Sequence, residues 1–277
     1  MTVPTSQEQA VEHEVVGREG AGREGVTHPA RIRSFTRRGG RMPQRHHRAL
    51  AEHGPAYLLD LPRQEAGSMV QPGRSRLDLP TVFGRTSSVV AEIGSGSGDC
   101  VVAAAGSDTD RDYVALEVWR PGVAQTLAKA AHADVRNLRV AQVDAGQALA
   151  ELFAPGSLDE LWIFFPDPWP KKKHHKRRLV TPEFAETVAT VLRPGGTWRL
   201  ATDWADYAWQ MRDVVEGCEA FDNPHAGRLA DAGDPAVDPQ GERGGFAPRF
   251  DGRVLTRFEL KGERAGRVVR DLAVVRR

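Results

Sequence analysis

The chain reads as an α/β protein: an open, mostly parallel sheet with helices on both faces and an antiparallel pair at its C-terminal edge. Three observations predict this. Short apolar runs rich in Val, Ile and Leu recur through residues 88–201. Segments with helical start and stop signals lie between them. A glycine loop joins the first run to the segment after it. Strands that alternate with helices pair in parallel and bury both faces of the sheet.

Residues 1–30 are polar, rich in Gly and Glu and poor in aromatics, and read as a disordered tail. Residues 31–60 read as a basic arm with a short helix in 48–60 (RALAEHGPAYLLD), ending near Gly54-Pro55. Residues 61–277 form one domain, with 62–80 as a connecting loop. The run at 88–93 (SVVAEI), ended by glycines, suits a buried parallel strand. A helix starts at 99–105, and 112–118 (DYVALEV) is a second strand. Residues 121–133 are a helix with Pro121 in its first turn, where a missing N–H is harmless. Strands follow at 138–143 and 158–165. Residues 181–192 form a helix with Thr181 as N-cap and Pro182 at the first helical position, ended by Gly195-Gly196. A fifth strand (197–201) and a helix (204–215) come next, then a long Gly-, Pro- and Asp-rich loop at 222–252. Two last strands, 254–260 and 268–275, suit a hairpin-like end.

The net charge of +1 conceals a division. Residues 31–48 hold seven Arg and no acid, and 171–178 read KKKHHKRR. Without those 13 Lys and Arg, 25 basic residues face 37 acids. An acidic body with two basic blocks points to a polyanion on one face. No apolar run approaches the roughly 18–20 residues of a membrane span, so no membrane role is expected. The first residues lack the apolar core of a secretory signal. The two cysteines, Cys100 and Cys218, cannot build a disulfide framework or a Cys-only zinc site. They read as free thiols of a cytoplasmic protein.

Three acids give the glycine loop a meaning. Gly94, Gly96 and Gly98 in EIGSGSG (92–98) let the backbone turn and approach a ligand at the strand ends, where doubly wound sheets bind. The pattern matches neither the dinucleotide G-x-G-x-x-G nor a P-loop. Glu92 is expected in the loop after the first strand, Glu117 at the end of the second and Asp144 at the end of the third. Glu117 is placed to accept from ribose hydroxyls, and Asp144 with Ala145 to meet an adenine amine. An acidic lip suits an adenosine without phosphate, such as the sulfonium S-adenosylmethionine.

Residues 164–178 (FFPDPWPKKKHHKRR) close the fourth strand. Pro166 and Pro168 stiffen the backbone around Asp167, the candidate catalytic residue. Trp169 can stack on a base, and Lys171 to Arg178 offer phosphate contacts beside it. His174 and His175 have no further ligand spacing to support a metal, so none is expected. Asp203 closes the fifth strand on the same rim. Thr256, Arg257, Phe258 and Glu259 are expected in the penultimate strand, alternating between its faces.

These residues resemble the bacterial-type tRNA (guanine-N7-)-methyltransferase family over about residues 33–277. FPDPWPKKKHHKRRLV (165–180) is the most specific piece, supported by EIGSGSG, ALEVWRPGVA (115–124), NLRVAQVDA (137–145), LRPGGTWRLATDW (192–204), TRFELKGERAG (256–266) and the basic SFTRRGGRMPQ (34–44). Ser95 and Ser97 stand where the family often carries bulkier apolar residues. The resemblance implies a Rossmann-like class I methyltransferase fold: a mostly parallel seven-stranded sheet with an antiparallel C-terminal strand. It implies that Glu92, Glu117, Asp144 and Asp167 line an S-adenosylmethionine site, with Asp167 catalytic. Lys171, Asp203 and Thr256 to Glu259 match substrate-contacting positions. Lys173, His174, His175, Lys176, Arg177 and Arg178 match an RNA-contacting segment.

The function so implied is methyl transfer to guanine N7 in the variable loop of tRNA, forming 7-methylguanosine. The partner is tRNA, with no obligate protein partner and a monomer or homodimer expected. The alternative is an amino methyltransferase acting on a protein or free base, since Asp-Pro-Trp imitates the Asn/Asp-Pro-Pro-aromatic signature of such enzymes. A non-catalytic RNA-binding module on the same fold is a third reading, disfavoured by the intact acids.

Overall fold

The computed structural model describes residues 35, 42–64, 68–228 and 244–277. The 1–30 tail, Arg31, Arg33, Arg37, Arg38 and Arg41 of the first basic block, and the 229–243 stretch of the long loop lie outside the described residues.

The elements run in the order α1 (Gln44–Tyr57), α2 (Leu79–Phe83), β1 (Val89–Ile93), α3 (Asp99–Ser107), β2 (Asp112–Leu116), α4 (Arg120–His132), β3 (Leu138–Ala141), α5 (Ala145–Leu152), β4 (Leu158–Phe164), a 3-10 helix (Lys172–Arg177), α6 (Pro182–Val191), β5 (Leu192–Thr202), α7 (Ala205–Gly217), β6 (Phe221–Asp222), α8 (Arg257–Arg264) and β7 (Arg270–Arg276). The seven strands lie in the order β3-β2-β1-β4-β5-β7-β6. The pairs from β3 to β5 are parallel, and β7 runs antiparallel to both β5 and β6. This is the Rossmann-like arrangement that the resemblance implied, mostly parallel with an antiparallel C-terminal strand. The chain builds outward from β1 to β3 and then returns to lay β4 against β1. That reversal opens a crevice at the carboxyl ends of β1 and β4, where doubly wound sheets bind ligands.

Side-chain alternation along β1 assigns the two cores. Val89, Ala91 and Ile93 pack with residues of α5, α6 and α7, while Val90 packs with residues of α1, α3 and α4. By the same period of two, Glu92 falls on the side of Val90. Among the described residues no helix is long and apolar enough to cross a membrane.

The structure corrects several expectations. The strand expected at 254–260 is absent, and its second half belongs to α8. Thr256 caps that helix, its Oγ1 accepting from Glu259 N at 3.2 Å. Thr-x-x-Glu is a capping-box spacing, a helix signal that outweighs the short alternation of Thr-Arg-Phe-Glu. Without that strand there is no terminal hairpin, and β7 instead inserts between β5 and β6. The first helix does not stop at Gly54-Pro55 but runs to Tyr57, enclosing Pro55 in its last turn. Glu92 lies inside β1, not in the loop after it. Helix α5, absent from the expected elements, starts directly after Asp144, whose side chain accepts from Gly146 N at 3.2 Å.

Candidate active site

Steric demands of the backbone shape the glycine loop. Gly94, Gly96 and Gly98 take φ of +73°, +57° and +75°, the left-handed region that side chains disfavour. A Cβ on Gly98 would lie 2.5 Å from Thr126 Oγ1, so α4 packs directly on the loop. Gly122 completes the fit: a Cβ there would run into the Gly96 carbonyl and the Trp119 ring. Gly122 was not singled out from sequence, although Pro-Gly at the first turn of a helix is an unusual pairing that flags it.

Three acids line the carboxyl ends of the adjacent strands β3, β2 and β1. Asp144 is buried, and its own N–H donates to Ser68 O at 2.9 Å. Glu117 is buried just past β2; its Oε2 accepts from Gly96 N at 2.7 Å and its Oε1 from Trp119 N at 2.6 Å. Glu92 is 4% exposed. It accepts from the Val101 N–H near the start of α3, and its Oε2 has no hydrogen-bond partner. Burial first, then the charges of Glu117 and Asp99, push its carboxyl up to about 8, against the pull of the Val101 N–H. An orphaned carboxylate oxygen in so dry a place is costly unless a donor or cation meets it.

The fourth strand delivers Asp167 on a constrained loop. Phe165 and Trp169 both have positive φ, +52° and +46°. For a non-glycine residue such geometry costs about 1–3 kcal/mol and survives only where the surroundings over-determine it. Phe165 N donates to Ala201 O at 2.8 Å. The Arg177 guanidinium lies 3.7 Å above the Trp169 ring, and His174 meets that ring edge-on at 6.1 Å. Arg178 Nε donates to Pro168 O at 2.9 Å and Nη1 to Gln210 Oε1 at 2.6 Å, and Nη2 pairs with Asp206. Asp167 is therefore half-buried on a backbone anchored on both flanks.

This divides the second basic block. Lys171, Lys172, Lys173 and Lys176 are exposed, and His174 and His175 are half-exposed. The neighbouring cations and partial burial hold His174 below its ordinary value, burial contributing most. His175 approaches Asp206 at 3.6 Å. Arg178, expected at the RNA, is 3% exposed and turned inward, and Arg177 lies over one face of the Trp169 ring. The physical reason is the set of partners each finds: Pro168 O, Gln210 and Asp206 for Arg178, and the Trp169 ring and Phe35 O for Arg177. Asp206 and Gln210, which hold Arg178, carried no sequence signal because they read as an ordinary helix face.

The opposite wall is α8 with the end of β5. Asp203 Oδ2 accepts from Arg267 Nε at 2.7 Å and sits against Gly262 of α8. Phe258 is 58% exposed beside the equally open Leu255. Glu259, by contrast, is 1% exposed and ion-paired to Arg249 at 3.1 Å and to Arg253 at 2.6 Å. Arg257 belongs to α8, and its side chain lies outside the described residues. Arg253 and Asp271 were missed from sequence, since nothing local marks a partner far along the chain. Cavities of about 500 Å³ beside His175, Glu186 and Trp209, and of about 350 Å³ behind α8, lie away from the acid row. Among the described residues no group of three or more His, Cys, Asp or Glu is arranged to hold a metal.

The site thus offers a backbone cradle, a dry acidic lip suited to a cation bearing hydroxyls and an amine, and a half-buried Asp167 on a braced loop that leads into an exposed lysine cluster. A family model described as a putative methyltransferase matches residues 86–244. The chain is 46% identical to the tRNA (guanine-N(7)-)-methyltransferase of Cutibacterium acnes, across 91% of this chain and 86% of that protein. It is 39% identical to the protein of the same name from Paenarthrobacter aurescens, across 91% and 93%. With the one from Halorhodospira halophila the figures are 40% identity across 89% and 96%. Among solved structures, the 16S rRNA methyltransferase KamB aligns over 78% of this chain and 99% of its own, at 20% identity and a TM-score of 0.48.

Proposed function

The chain belongs to the tRNA (guanine-N(7)-)-methyltransferase family, and from that premise we propose that Asp167 and the acids at the neighbouring strand ends perform its reaction. The reaction moves a methyl group from S-adenosylmethionine to N7 of a guanine in tRNA, giving 7-methylguanosine. The acceptor is the guanine of the variable loop. The observation that carries the assignment of residues is the buried, unpartnered Glu92 Oε2 at the head of the acid row.

S-adenosylmethionine has a sulfonium, an ammonium, ribose hydroxyls and an adenine amine, and no phosphate. The donor set fits each of these. Glu92 has an unsatisfied acceptor for the cationic end. Glu117, which accepts from Gly96 N and Trp119 N, stands at the end of β2, where a carboxylate would meet ribose hydroxyls. Asp144 and Ala145, at the end of β3, would meet the adenine. The open space over Gly94 leaves room for the amino acid portion. When bound, the cofactor supplies a methyl carbon made electrophilic by the sulfonium.

Guanine N7 has an in-plane lone pair and no proton, so the chain need not provide a strong base. Its task is alignment of N7 with the methyl carbon and sulfur. The product base is a cation. Asp167 favours that developing charge, or holds the base through N1–H and N2–H, and its braced backbone keeps the carboxylate from relaxing away. N7 lies on an edge used in tertiary contacts, so the base leaves its stack to react. Lys171, Lys172, Lys173 and Lys176, with the arginine arm at 31–48, contact phosphates, and tRNA shape provides the selection. Asp203 and α8 contact the substrate from the far wall. The enzyme acts in the cytoplasm, as a monomer or homodimer, without an obligate protein partner.

The test is Asp167→Ala, assayed for transfer and for tRNA binding separately. Transfer falls to background while tRNA affinity stays within a few-fold. Full transfer by the variant removes Asp167 from the reaction.

A further inference from the structure

Among the described residues Arg253 is the largest charged side chain fully inside the protein, and no motif accounts for it. Its guanidinium is 0% exposed. Nη2 donates to both oxygens of Asp271, at 3.0 and 2.8 Å, and Nη1 lies 2.6 Å from Glu259 Oε1. Arg249 pairs with the same Glu259 and donates from Nη2 to Arg253 O at 2.7 Å. Two cations and two anions thus meet between the first turn of α8 and the start of β7, with Arg253 Nη1 close to Glu259 but out of hydrogen-bond alignment and Arg253 Nε without a hydrogen-bond partner. Burial raises the Asp271 carboxyl, and Arg253 opposes that shift. Buried pairs of this kind add little net stability compared with apolar packing, which leaves their conformational specificity to be explained.

The guanidinium also reaches the other wall of the site. Its Cζ lies 5.2 Å from the centre of the Phe165 ring and 5.7 Å from that of Phe164. Phe165 is the left-handed residue two before Asp167. One side chain therefore touches the strained entry to the Asp167 loop and the anchor of the substrate-side helix.

We propose that Arg253 is a positioning residue for methyl transfer, setting the Asp167 loop against α8 through the Phe165 ring and the Glu259 carboxylate. The inference rests on the functional reading above. Lysine cannot replace it, because a point charge satisfies one carboxylate and presents no plane to the ring. Losing the brace lets Asp167 and α8 drift by a fraction of an ångström, which slows a step that depends on alignment while leaving ground-state binding largely intact.

The experiment compares wild type, Arg253→Lys, Phe165→Leu and the double variant under single-turnover conditions with unmodified tRNA, at a temperature where circular dichroism shows each folded. The expected result is a rate at saturation reduced about 10- to 100-fold in each single variant. KM for tRNA and affinity for S-adenosylmethionine stay within about threefold. The double variant is no slower than the worse single one, because both remove the same coupling. Phe165→Leu leaves the ion set intact and so carries the test if Arg253→Lys does not fold. An unchanged saturating rate in the folded variants, a loss confined to KM, or rates that multiply in the double variant overturns the inference. No methylation of tRNA guanine by the wild type overturns the functional reading, and the inference with it.

Discussion

Glu92→Gln is the most informative single change, because the burial of its carboxyl sets the sign of the effect. In the folded protein burial holds the Glu92 carboxyl protonated up to about 8, against 4.5 for the unperturbed group. Between those values the folded chain keeps a proton that the unfolded chain has released. Stability therefore falls as pH rises from about 4.5 to about 8, at up to roughly 1.4 kcal/mol per pH unit, and levels off beyond. The whole window is worth up to about 5 kcal/mol. Glutamine keeps the shape without the titration. Urea unfolding at pH 5.5, 6.5 and 7.5 should show the variant gaining on the wild type by roughly 2–3 kcal/mol across the series. The variant should also lose S-adenosylmethionine affinity. A cation beside the carboxylate pulls its pKa down, so cofactor binding near pH 7 should release up to one proton from the wild type and none from the Glu92→Gln variant. Calorimetry in buffers of different ionisation enthalpy reads that proton count. Stability curves that run parallel from pH 5.5 to 7.5 would refute the reasoning.

The other predictions concern different parts of the site. Replacing Lys171, Lys172, Lys173 and Lys176 with alanine should weaken tRNA binding and flatten the plot of log affinity against log salt by about 3, near 0.7–0.9 per lost phosphate contact; an unchanged slope removes this face from the RNA. Gly122→Ala places a methyl group on the Gly96 carbonyl. It should lower unfolding free energy by about 1–3 kcal/mol and weaken cofactor binding, whereas a well-folded variant with normal affinity would count against the α4 contact as a determinant of the loop. Thr256→Ala removes the acceptor for Glu259 N and should cost about 1 kcal/mol in denaturant unfolding.

What the sequence made legible was local. The alternation of apolar runs with capped helices displays the parallel sheet, because each element states its period in its own residues. Gly94, Gly96 and Gly98 with Glu117 and Asp144 could be placed for the same reason, since the chain sets them at consecutive strand ends, whereas Glu92 was read one element too late. Where two local signals competed, the reading failed: Thr256 to Glu259 alternates like a strand and also carries the spacing of a helix cap, and the cap wins. What remained hidden was long-range. Arg253 lies 18 residues from Asp271, and Arg178 lies 28 from Asp206, across turns that no local pattern specifies. The basic block shows the limit most clearly. Eight consecutive residues look alike in charge, yet Arg178 is buried under the Asp167 loop while Lys176 faces solvent. Partners on α7 and the Pro168 carbonyl decide which of them is buried, and those partners are not written in the block's own composition.

Methyl transfer to a tRNA whose variable-loop guanine is replaced by 7-deazaguanine tests the central claim most directly. The account predicts labelling of the natural tRNA from labelled S-adenosylmethionine, at that guanine, and none of the deaza substrate, whose ring offers no lone pair at that position. Equal labelling of the two would contradict it and place the acceptor elsewhere.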